Sequence, residues 1–107
     1  HEGHVAAEAA AAEPRKYEVP TVDDLADFLD AERPDKAKYR QALELAVATA
    51  KEQTGLVVEG SVSHFMAQGI RLLAAKLLLE DRLEGPLTAT DVPLQVRAFW
   101  KLAGAEG

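Results

Sequence analysis

The chain has 107 residues, no cysteine, and 18 acidic against 12 basic residues, for a formal net charge of −6. That length supports one small domain with little room for a buried cofactor cavity, and the lack of cysteine excludes disulfides, thiolate metal sites and thiol nucleophiles. No run of Lys or Arg supplies the positive surface a phosphate backbone needs, and no apolar run reaches the roughly 20 residues that cross a bilayer, so duplex binding and membrane insertion are both disfavoured.

His1 to Lys16, HEGHVAAEAAAAEPRK, is rich in Ala and Glu and is stopped by Pro14. Ala favours a helix, but no large apolar side chain anchors one here. Residues 1–16 are expected to form a mobile or partner-bound arm, and residues 17–107 the helical domain. A first short helix starts at Thr21. Thr21 and Asp24 have capping-box spacing, Asp23 and Asp24 suit the positive helix start, and Val22, Leu25, Phe28 and Leu29 make one apolar face.

Pro34 favours a fresh start, and Tyr39, Leu43, Ala46 and Ala50 form the stripe of a second helix that runs to Thr54 and Gly55. Gly55 fits a left-handed helix stop with Leu56 as its apolar partner just beyond. Leu56 to Glu59 is too short to establish a sheet and reads as a crossing loop. Ser61 or Ser63 then caps a third helix, expected to be the longest, which runs to about Arg82 before Gly85 and Pro86.

The middle of that helix, IRLLAAKLLL from Ile70 to Leu79, is apolar nearly all the way around. At about 100° per residue, one stripe carries Val62, Met66, Ile70, Leu73 and Leu77, and a second carries Phe65, Leu72 and Leu79. The first stripe can face the chain's own core. The second calls for a neighbour, since burying each such side chain contributes roughly 1.5–3 kcal/mol. Leu45 lies off the main stripe of the second helix, so Leu45, Phe65, Leu72 and Leu79 are the candidate subunit interface. On this division, Leu72→Asp is expected to impair assembly more than folding.

A fourth helix follows caps at Thr90 and Asp91, with Pro93 in its first turn and Val92, Val96, Phe99 and Trp100 recurring before Gly104. Phe99 and Trp100 either close the bundle or anchor on another protein, and the continuity of Phe99 with the stripe favours closure. The fold expected is all-α, a small antiparallel bundle of about four helices behind a flexible N-terminal arm.

Catalytic patterns are sparse. His1 and His4 lack a third ligand, and His64, near Gln68 and Arg71 on a polar stripe, reads as a solvated or interface residue rather than a base. Asp23 with Asp24, and Glu80 with Asp81, point about 100° apart instead of converging. No Glu-x-x-His or phosphate-binding loop is present, and Ser61 and Ser63 lack a base, so neither enzymatic activity, nor a metal, nor a cofactor is expected.

The order of the segments TVDDLADFLD, AKEQTG, GIRLLAAKLLLEDR and DVPLQVRAFW resembles the head-tail connector (adaptor) proteins of long-tailed phages from Thr21 to about Leu102. The Ala-rich arm has no counterpart in that pattern, and Leu78 and Leu79 stand where aromatic residues are common. The resemblance implies a homo-oligomeric ring, commonly a dodecamer, in the virion neck, built from subunits made in the host cytoplasm. Such a ring sits beneath the portal protein, bridges it to a tail-side connector or stopper protein, and lets DNA pass without sequence-specific binding. It also implies docking on the portal through the C-terminal segment, which makes Val96, Phe99 and Trp100 candidate anchors. A helical regulatory or protein-binding module, such as an antitoxin-like partner, would use the same apolar stripe and acidic surface.

Overall fold

The computed structural model describes residues 17–106. In chain order its elements are β1 (Tyr17–Glu18), α1 (Val22–Leu29), α2 (Lys36–Thr54), β2 (Ser61–Val62), α3 (His64–Leu79), a 3-10 turn (Ala89–Asp91) and α4 (Leu94–Glu106). The fold is all-α, four helices packed together, with one small addition. β1 and β2 pair antiparallel, Tyr17 opposite Val62 and Glu18 opposite Ser61, and the Val19 amide donates to the Gly60 carbonyl at 3.2 Å. The expected arm, residues 1–16, lies outside the described residues.

Local chemistry places the helix starts. The Asp24 amide donates to Thr21 Oγ1 at 3.2 Å and the Thr21 amide donates to Asp24 Oδ2 at 3.0 Å, a reciprocal capping box that satisfies two amides of α1. Asp35 caps α2 by accepting from the Lys38 amide at 3.2 Å. Of the two serines, Ser63 caps α3, its Oγ accepting from the Met66 amide at 3.0 Å, while Ser61 belongs to β2.

The helix ends differ from expectation at two points: α4 runs through Gly104, the expected stop, to Glu106, and α3 ends early. Gly55 is left-handed at φ +69°, as expected of that stop, and Leu56 beyond it packs on the core. α3, however, stops at Leu79, short of Arg82, because Asp81 takes a left-handed conformation at φ 54°. The Arg82 amide then donates back to the Leu77 carbonyl at 2.8 Å and the Asp81 amide to Leu78 at 3.1 Å, which closes the helix end. Asp30, at φ 55°, ends α1 in the same way. With 16 residues α3 is also shorter than α2, which has 19 and is the longest helix.

α3 is the central element, packing extensively on both α2 and α4, while α1 closes over α2 and α3. Its buried side includes Met66, Ile70, Leu73 and Leu77, with Val62 just before the helix. Gly69, Ala74 and Ala75 are buried as well, so a second side of α3 is covered within the subunit. That double coverage accounts for much of the nearly continuous apolar run: a helix packed from two sides has little face left for polar residues. Ala42, Ala46 and Ala50 line the buried side of α2, and their small side chains allow close approach of the helix axes. Among the described residues, no helix is long and apolar enough to cross a membrane.

Candidate functional site

The residues singled out for subunit contact divide by exposure. Leu79, at the end of α3, is 80% exposed and belongs to no core contact. Phe65 and Leu72, on the same stripe, are half-buried and packed against the core, so only their outer edges face solvent. Phe65 stacks on Phe99 of α4, with ring centroids 6.1 Å apart and planes inclined by 25°. Leu45 is also half-buried, and its Cδ1 lies 2.5 Å from where a β-carbon on Gly85 would sit, which packs it under the loop after α3.

The three residues proposed for docking separate in the same manner. Val96 is 1% and Trp100 3% exposed, both in the core cluster, so neither offers a surface to a partner without opening the subunit. Within the subunit both are core residues: the apolar stripe of α4 points inward because α3 supplies the surface it covers. Phe99 is half-buried and keeps an outer edge.

Arg71 lies on α3 with its guanidinium carbon 4.9 Å from the centroid of the Phe28 ring, a cation over an aromatic face that ties α1 to α3. Its Nε is buried with no hydrogen-bond partner, as is Nε1 of Trp100. His64 opens α3, its ring 5.7 Å from that of Phe65.

A polar clamp fastens the loop between α3 and α4. Arg82 donates from Nη1 to Asp91 Oδ1 at 2.7 Å and from Nη2 to Asp91 Oδ2 at 3.1 Å, a two-pronged pair. Thr88 donates to Asp91 Oδ2 from its amide at 2.7 Å and from its hydroxyl at 2.9 Å. The hydrogen bonds from Arg82 foremost, then those from Thr88, hold the Asp91 carboxyl well below the usual carboxylate range, and the Asp91 bond raises Arg82 in turn. The group is a structural tie, since Arg82, Thr88 and Asp91 bond to one another within one loop.

Sequence periodicity missed part of the exposed apolar surface. Leu94 is 76% exposed and Leu102 is 47% exposed; with Ala98 between them they recur every four residues along the outer side of α4. That i, i+4, i+8 spacing is visible in the sequence, but it is offset from the stronger Val92, Val96, Phe99 stripe that faces the core. Among the described residues, Val57, in the loop after α2, and Phe28 of α1 are the other exposed large apolar side chains besides Leu79.

Among the described residues, no group of three or more His, Cys, Asp or Glu side chains is placed to hold a metal ion. An open depression of about 360 Å³ lies between the end of α2 and α4, lined by Gln53, Thr54, Arg97, Trp100, Lys101 and Gly104. No protein-family model, curated protein or solved structure matches the chain.

Proposed function

We propose that this chain is a non-enzymatic structural adaptor, a head-tail connector of a tailed phage that works as a homo-oligomeric ring between portal and tail-side proteins. The observation that carries the reading is the distribution of exposed large apolar side chains. Phe28 on α1, Val57 after α2, Leu79 on α3, and Leu94 and Leu102 on α4 all stand in solvent on a small subunit whose core is already closed. Association would bury them at roughly 25 cal/mol for each Å² of apolar surface removed from water. Their placement on separate elements suits a subunit that meets different neighbours with different patches.

In this reading Leu79, with the outer edges of Phe65 and Leu72, is the part of α3 that a neighbour covers, and Phe99 is the C-terminal side chain left to face the portal. The net charge of −6 suits a conduit for DNA, because a negative lining repels the phosphate backbone instead of retaining it. Co-purification of the full chain with the portal protein encoded in the same genome, followed by negative-stain electron microscopy, tests the reading. Rings seated on the portal are expected; a stable monomer that never joins portal complexes overturns it.

A further inference from the structure

α1 and α4 carry opposite charge at matching spacing. On α1, Asp23 and Asp27 lie one turn apart and exposed, Asp24 lies beside them, and the helix contains no basic residue. On α4, Arg97 and Lys101 are likewise one turn apart and exposed, and the helix's one acidic residue, Glu106, is its last. Like charges at i and i+4 repel, so each helix holds an unfavourable pair that an opposite pair would relieve.

No ion pair among the described residues relieves them. The ion pairs among the described residues join Lys38 to Asp81, Lys76 to Glu80 and Arg82 to Asp91, and none uses Asp23, Asp27, Arg97 or Lys101. Nor do α1 and α4 pack extensively on one another. Each charged stripe is bordered by apolar surface left in solvent: Phe28 next to Asp27, and Leu94 and Leu102 next to Arg97 and Lys101. Arg97 and Lys101 also overhang the open depression at the end of α2, which gives an incoming carboxylate a place to sit.

We infer that copies of this chain join head to tail, α1 of one copy seated on α4 of the next. Asp23 and Asp27 meet Arg97 and Lys101 of the neighbouring copy, and Phe28 covers Leu94 and Leu102 beside them. Both charge pairs are spaced by one helical turn, about 6 Å, so the partners can align without distortion of either helix. Two different patches meet, so every copy in an open chain leaves one patch free for the next, and closure of the chain gives a ring. The inference deepens the adaptor reading and rests on its claim that copies assemble.

Sedimentation velocity of the full chain at low and high salt is the test, with circular dichroism to verify folding. Wild type should form species larger than a dimer that weaken with salt, because exposed ion pairs are screened. Arg97→Glu with Lys101→Glu, and Asp23→Lys with Asp27→Lys, should each weaken self-association by about tenfold or more. An equimolar mixture of the two variants should reassemble, since each acidic helix then finds a basic one in the other variant. If a charge-reversed variant fails to fold, the neutral versions Arg97→Gln with Lys101→Gln and Asp23→Asn with Asp27→Asn should show the same loss of association.

A wild-type monomer at low salt, a closed dimer, variants that assemble like wild type, or a mixture that stays dissociated would each overturn the inference. None of these measurements involves the portal. Portal binding by a chain whose association ignores these charges sinks the contact and leaves the adaptor reading standing; rings built through α1 and α4 that never bind a portal do the reverse.

Discussion

The indole of Trp100 occupies the space that a β-carbon on Gly69 would need, so α4 crosses α3 at its one glycine. Replacing a helical glycine by alanine ordinarily stabilises by up to about 1 kcal/mol. At Gly69 the new methyl group meets a rigid, buried ring, and overpacking of that kind costs roughly 1–3 kcal/mol. Gly69→Ala is therefore expected to lower stability by about 1–2 kcal/mol in urea unfolding followed by Trp100 fluorescence. Gly104→Ala, where nothing lies within 4 Å of the added carbon, should be neutral or slightly stabilising.

Exposure along one stripe of α3 separates assembly from folding. Leu79 stands in solvent, so Leu79→Asp should leave subunit stability within about 0.5 kcal/mol of wild type. Leu72 packs against the core, and a carboxylate there should cost about 2 kcal/mol or more. Both should impair assembly, but only Leu79→Asp should do so with an unchanged thermal melt. A Leu79→Asp chain that assembles like wild type would remove this side chain from the subunit contact.

The clamp on Asp91 makes an acid-dependent prediction. Its carboxyl titrates lower in the folded chain than in the unfolded one, mainly through Arg82 and then Thr88. The stabilisation is therefore fully present above the unfolded value, about 4, and is lost as pH falls toward the folded value. Asp91→Asn should melt below wild type at neutral pH, and the gap should close as pH drops below about 4. A gap that stays constant over that range would mean the charge on Asp91 contributes nothing to the clamp.

Asp30 is left-handed and places a negative charge at the C-terminal end of α1, where the helix dipole is also negative. Glycine adopts that conformation without a side-chain penalty. Asp30→Gly should stabilise by about 0.5–1 kcal/mol by chemical denaturation. The mechanism fails if the variant is less stable than wild type.

The starts of α1 and α3 were legible because their signals span only three or four residues, whereas Thr90 and Asp91, expected to cap α4, lie in the 3-10 turn before it. Thr21 with Asp24, and Ser63 with Met66, act through bonds between near neighbours, and Gly55 needs only its own backbone freedom. The stop of α3 was less legible. An aspartate replaced the expected glycine in the left-handed position, and nothing in Glu80-Asp81-Arg82 announces that the chain will turn there. The pairing of β1 with β2 was missed because it joins two-residue segments far apart in sequence. The candidate surface was legible only in part: Leu79 stood out on its stripe, whereas Leu94 and Leu102 were hidden beside a stronger one.

By itself the sequence determined the helical class, the capping box at Thr21 and Asp24, and the buried stripe of Val62, Met66, Ile70, Leu73 and Leu77, since periodicity and near-neighbour hydrogen bonds are local properties. Only the tertiary structure decided which other apolar residues belong to the subunit. Val96 and Trp100 went inward because α3 lies under them, Phe65 and Leu72 became half-buried, and Leu79, Leu94 and Leu102 were left outside. A stripe on a helix records that a side chain is apolar; whether its cover comes from the same chain depends on where the other helices pack.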